Sequence, residues 1–218
     1  MITIGDFSFP ERTTIAQVSV IEAKSKVRKE IRIQSMLKES PEALQRAIEA
    51  FDRGDASLSL QAGRYYMGRR RELLATSNLP GGATWVDFLV LTRDRYERSE
   101  AIHAHLVEIT TGRGDFSLFN LGNWTAPLCA VLRPSQAVER FEITTASEVF
   151  ALEETIPAGG ELIVDSDARQ VYVNGENRRA SAGLSFPHLI QGANVVAVQT
   201  LPAEAAATCT LQYRDRWV

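Results

Sequence analysis

Few side chains in this chain have the types and spacing that chemistry requires. His103 and His105 alternate through Ile102-His103-Ala104-His105-Leu106, which puts both rings on one face of a strand, a pair able to hold a metal. Only Glu100 and Glu108 lie near enough in sequence to complete a shell, and no cysteine does, so ordinary surface or interface histidines are expected. His188 follows Phe186-Pro187 with no obvious partner. Asp165-Ser166-Asp167 opens like a calcium loop, but the glycine and closing glutamate of such a loop do not follow, and a hairpin turn whose carboxylates accept backbone amides is the expectation. Arg113-Gly114-Asp115 spells an adhesion tripeptide and reads as a connector with two solvated charges. Arg69-Arg70-Arg71, beside Tyr65 and Tyr66, is too short a run to hold nucleic acid at physiological salt and is better suited to an acidic protein partner. Among the aromatic residues, Trp124 in the turn-like Gly122-Asn123-Trp124-Thr125 is the one placed to stack on a sugar. Tyr172, Tyr213 and Trp217 default to core packing. No nucleophile, base and metal constellation can be assembled, so neither an enzyme nor a cofactor is expected.

The 218 residues carry 24 basic and 27 acidic side chains, a net charge of −3, so no global basic field attracts nucleic acid or an anionic bilayer. No apolar run is long enough for a membrane span and the first residues lack a signal-peptide pattern, which predicts synthesis in a cytoplasm. Two cysteines, Cys129 and Cys209, and three histidines leave no disulfide framework and little for zinc.

Elements are needed to position whatever acts. Ile2, Ile4, Phe7 and Phe9 mark a strand-like start before Pro10. Residues 14 to 36 alternate apolar positions (Ile15, Val18, Val20, Val27, Ile31, Ile33) with Lys24, Lys26, Lys29 and Arg32, which predicts two strands able to form a hairpin, with a charged side toward solvent or a partner. Ser40-Pro41-Glu42 starts a helix, Leu44, Ala47, Ile48 and Phe51 line one face of it, and Gly54 ends it. Strand character resumes at Leu58–Leu60 and Tyr65–Met67, across Gly63, and at Trp85–Leu91. The first half is therefore α+β.

From Gly112 onward, short apolar stretches are punctuated by glycine, proline and asparagine, the spacing of an all-β sandwich or barrel. Asn174-Gly175 is a hairpin turn dipeptide. Residues 1–112 carry 16 basic and 15 acidic side chains, whereas 113–218 carry 8 and 12. This charge split places a domain junction in Thr110–Gly114, with domains 1–112 and 113–218.

The second half also resembles a known family. Its order of motifs is Phe119-Asn120-Leu121-Gly122-Asn123 with Thr125-Ala126-Pro127, then Gly159-Gly160-Glu161-Leu162-Ile163-Val164-Asp165, Val171-Tyr172-Val173-Asn174-Gly175, Phe186-Pro187-His188-Leu189 and Gly192-Ala193-Asn194. This is similar to the distal tail proteins of long-tailed, siphovirus-type bacteriophages. Gln191 stands where proline is usual before Gly192, and Arg95 where proline is common in Asp94-Arg95-Tyr96. The resemblance implies a structural virion protein of the tail tip. Its N-terminal domain would form a homohexameric ring, joining the tail tube to the hub or baseplate around the channel through which DNA passes without specific binding. Its C-terminal domain would be a galectin-like sandwich. On this reading Lys24, Lys26, Lys29 and Arg32 belong to a subunit or tube interface, and the partners are copies of the chain, the tube protein and the hub, with no membrane. The rival reading is a carbohydrate-binding module that recognises host glycan through Trp124. A cell-wall hydrolase lacks its constellation.

Overall fold

The computed structural model describes residues 1–23, 26–38, 41–178 and 185–218. Among these described residues the chain is mostly β-sheet with one α-helix. It divides into two compact units, Met1–Glu100 with Val218, and Ala101–Trp217. The division falls before the expected Thr110–Gly114 junction. That segment instead links two strands of the second unit, so its glycines serve a turn inside one unit.

In the first unit, β1 (Thr3–Ile4) and β2 (Phe7–Ser8) form a short hairpin, and a 3-10 turn (Glu11–Thr13) leads into β3 (Thr14–Ala23) and β4 (Lys26–Leu37). The alternation read in 14–36 produces the expected antiparallel hairpin, with Val18 opposite Ile31 and Ala16 opposite Ile33. Helix α1 (Pro41–Arg53) follows. Its expected cap, Ser40, lies outside the described residues. Gly54 closes the helix with φ near +87°. Its amide donates to Phe51 O (3.0 Å) and that of Asp55 to Ala50 O (2.9 Å), the paired bonds of a left-handed helix end that glycine adopts without strain.

Next come β5 (Leu58–Gln61), β6 (Arg64–Tyr66), β7 (Gly68–Asn78), β8 (Thr84–Thr92) and β9 (Glu97–Ser99). The long strands build a four-stranded antiparallel sheet in the order β3-β4-β8-β7. Helix α1 lays Leu44, Ile48 and Phe51 on one face of it, against Ile31, Ile33, Val86, Phe88 and Val90. Strand β7 was not legible in the sequence, because two register shifts break its period and Arg71–Asn78 are exposed throughout. Bulges of this kind erase the alternation by which a strand is read.

The second unit contains β10 (His103–Ile109), β11 (Arg113–Asn120), β12 (Ala126–Pro127), β13 (Cys129–Pro134), β14 (Arg140–Thr144), β15 (Val149–Leu152), β16 (Leu162–Asp165), β17 (Gln170–Val173), β18 (Glu176–Arg178), β19 (His188–Leu189), β20 (Gly192–Leu201) and β21 (Ala207–Tyr213). Two antiparallel sheets, β10-β21-β13-β16-β17-β18 and β11-β20-β14-β15, contribute to one buried cluster that includes Leu132, Val164 and Leu211 from the first sheet and Phe116, Phe141, Ile143 and Val198 from the second. Strict alternation along β21, buried at every second residue, shows why apolar residues in this half fell at strand period. No helix occurs among its described residues.

Candidate assembly surfaces

The motif residues of the second unit hold loops. Asn120, 1% exposed, donates from Nδ2 to Trp124 O (2.8 Å) and Ile190 O (3.3 Å), and its Oδ1 accepts the Gly122 amide (3.0 Å). Asn194, also buried, accepts the Ile190 amide (2.9 Å) and donates to Ile190 O (2.9 Å) and Gly192 O (2.8 Å). A short amide side chain is the one group that can satisfy both donors and acceptors of a buried loop at once. Gly122 leaves no room for a Cβ, which would run into the Arg216 carbonyl. Asn174, at φ 52°, accepts the Glu161 amide (2.8 Å), tying the Asn-Gly hairpin to the Gly159-Gly160 turn.

Around the same loops lie the residues first considered for chemistry. His103 Nε2 sits 2.8 Å from the Asp215 carboxylate, which is 2% exposed and also accepts the Leu121 amide (2.9 Å). The rings of His103 and His105 both lie parallel to Tyr213, with centroids 4.7 and 6.1 Å away, and Tyr213 Oη donates to Phe119 O (3.0 Å). Burial above all pushes the Tyr213 phenol pKa up. The two histidines thus share a face as expected, within a stacked polar cluster. His188 has a partner the sequence did not reveal: its Nδ1 is 2.7 Å from Glu148. No group of three metal-ligating side chains occurs among the described residues.

Asp165 occupies the expected turn, its Oδ1 accepting the amides of Asp167 and Ala168 (both 3.0 Å), and Asp167 pairs with Arg216 (2.7 Å). Arg113 and Asp115 pair with each other (3.0 Å) inside β11, so the tripeptide is strand and not the connector the sequence implied. Trp124 is half-buried and held by its backbone, its amide donating to Arg216 O (3.1 Å).

Of the four cations singled out from the alternation in the first unit, the two whose side chains are described, Lys29 and Arg32, do not share a face. Lys24 lies outside the described residues, and Lys26 is placed only by its backbone, at the start of β4. Lys29 and Arg32 are three residues apart and so point to opposite faces of the strand. Lys29 lies on the face of Ile31 and Ile33. Its Nζ donates to Tyr66 Oη (3.1 Å) and sits 5.3 Å from that ring. Burial lowers its pKa, with the charge of Glu97 opposing. Burial, with Glu97 adding, raises that of Tyr66.

Arg32 lies on the face without the helix and grips Asp87 through Nε (3.0 Å) and Nη2 (2.6 Å), with Gln34 Nε2 adding a third donor (2.9 Å). These bonds, Arg32 first, hold the Asp87 carboxyl below the usual range against the cost of its burial. Of the arginine run, Arg71 pairs with Glu30, and the Arg70 amide donates to Asp52 (2.6 Å).

Both edges of this sheet are long. Strand β3, ten residues, exposes Ile15, Val18 and Val20 at 58%, 46% and 63%. Strand β7, eleven residues, exposes Leu73 at 47%. Val18, opposite Ile31, and Leu73, opposite Phe88, lie on the same face as the helix. The apolar face thus runs past the helix to both edges.

Comparison with known proteins fits these observations. No curated protein matches the chain. A solved structure of the SPP1 Dit protein (gp 19.1), described as a paradigm of the hub adsorption apparatus in phages infecting Gram-positive bacteria, superposes with a TM-score of 0.61 at 13% identity. That alignment covers 100% of this chain and 92% of the other, which shows a shared fold. An alignment to the infectious bursal disease virus Gt strain, at 11% identity over 94% of this chain and 63% of the other, has a TM-score of 0.19 and carries no argument. Residues 121–217 match the model of the siphovirus-type tail component, C-terminal domain, the segment in which Asn120, Gly122, Asn174 and Asn194 tie the loops. That segment of the chain is thus similar to the C-terminal domain of siphovirus-type tail components.

Proposed function

We propose that this tail component is a distal tail protein that assembles as a ring of six, joins the tail tube to the hub or baseplate, and surrounds the channel for DNA. The first unit builds the ring, and the second is a galectin-like sandwich. The observation that carries the ring is the pair of long edges on the four-stranded sheet. Four antiparallel strands leave β3 and β7 running in opposite directions, so β7 of one copy meets β3 of the next as a further antiparallel pair. Such head-to-tail contacts are heterologous, and they close into a ring when the rotation permits. Unpaired edges invite pairing, and exposed Val18, Val20 and Leu73 on one face extend the apolar core across the joint. The charged face around Arg32 is then on the side away from the helix, available to the tube or the channel.

Mass measurement and negative-stain images of the purified protein test this directly. Wild type is expected as a ring of six, and Val20→Arg with Leu73→Arg as a folded monomer. A wild-type monomer at high concentration speaks against self-assembly, and a ring that survives both charges speaks against these edges.

A further inference from the structure

At the C-terminal end of α1, the start of β7 and the end of β8 enclose a cleft of about 260 Å³. Arg28, Arg53, Arg69 and Arg93 line it, with Asp52 the only acidic residue in the lining. Asp52 is already engaged, accepting the Arg70 amide (2.6 Å) and lying 3.8 Å from Arg70 Nε. Arg53 shares its charge with exposed Asp55 (2.9 Å). Among the described residues no acidic side chain pairs with Arg28, Arg69 or Arg93. The Nε of Arg28 is buried without a hydrogen-bond partner among the described residues, a state that costs free energy until an acceptor arrives. Gly68 keeps the cleft narrow, since a Cβ there would strike the Leu91 carbonyl, and this holds the start of β7 close against the end of β8.

Unpaired guanidinium groups around a small cavity select oxyanions, which they grip with two parallel bonds. The volume falls below the range of about 300–1,000 Å³ usual for small-molecule sites and suits one or two acidic side chains. A nucleic-acid site would need cations continuing along a stripe. Here the continuation is cancelled, because Arg70 and Arg71 are spent on Asp52 and Glu30, and the whole chain is at −3. We infer that the Arg28, Arg53, Arg69 and Arg93 cleft is a docking site for the carboxylates of an acidic peptide segment in a protein partner. This rests on the reading of the chain as a tail component that works through protein contacts.

Fluorescence anisotropy of labelled hexaglutamate with the full chain, at low salt where exposed charges are weakly screened, reads the site. Saturable binding is expected, and Arg28→Gln with Arg93→Gln should weaken it about tenfold or more. Exposed Arg93→Gln alone should weaken it less, and Arg46→Gln, elsewhere on α1, should leave it within about twofold. The inference is overturned if hexaglutamate does not saturate, if the double variant binds like wild type, or if single-stranded DNA of equal charge or inorganic phosphate displaces the peptide at an equal or lower concentration. Native mass of the same samples separates the two readings. A ring that ignores hexaglutamate removes this site and keeps the ring, whereas a monomer that binds it does the reverse.

Discussion

The two units use their polar residues differently. In the second, amide and carboxylate side chains point inward to loops, as with Asn120, Asn194 and Asp215, and its sheets include terminal strands of only four and three residues at β15 and β18. In the first, the polar residues lie along a sheet that ends in two long, partly apolar edges, and its arginines are divided between internal pairs and an unneutralised cleft. A unit closed by its own loops has a sequence constrained at particular positions. One finished by contacts has more freedom, since many residues can dress an edge.

The contrast breaks most sharply if the cores are not separable. Phe88→Ala, in the fully buried centre of the first sheet, should cost about 3–5 kcal/mol and lower protection only in residues 1–100, while Phe141→Ala does the same for 101–217. Hydrogen exchange read residue by residue tests this, and loss of protection in both units from one change would refute it. Asn120→Ala should cost about 1–3 kcal/mol, because it strands the Gly122 amide and the carbonyls of Trp124 and Ile190. The urea midpoint of the second unit should move, with that of the first unchanged.

Acid should separate the units next. Asp87 has a folded pKa below its unfolded value of about 4, so its contribution is present above that value and lost as pH falls through the folded one. Asp87→Asn is expected to flatten the fall in first-unit stability between pH 7 and pH 3, measured by urea unfolding. An unchanged slope would show that the Arg32 pair is not responsible. The smallest effect concerns thiols. Burial pushes the thiol of buried Cys209 up to about 12, and burial, with the charge of Asp165 adding, raises that of half-buried Cys129. A thiol reagent at pH 8 should therefore modify Cys129 first and Cys209 only on unfolding, as mass spectrometry of timed samples would show.

Much of the fold was legible because it obeys short periods. The alternation from Thr14 to Ile33 became a hairpin, Leu44, Ala47, Ile48 and Phe51 became the inner face of the helix, and Asn174-Gly175 became a two-residue turn between β17 and β18. Strand β7 was hidden by its bulges. The junction was misplaced because a turn within a unit and a linker between units use the same glycines. The candidate site was less legible. Lys29 and Arg32 look alike in sequence, yet a separation of three residues sends them to opposite faces, one to Tyr66 and the other to Asp87.

By itself, then, the sequence determined composition, strand and helix periods, turn chemistry and the family motifs, because each depends on residues close together in the chain. Only the tertiary structure decided which charges are spent and which are left over. Arg71 is neutralised by Glu30 across the sheet, whereas Arg28, Arg69 and Arg93 meet around one cleft. Such pairings join residues dozens of positions apart, and no local pattern encodes them.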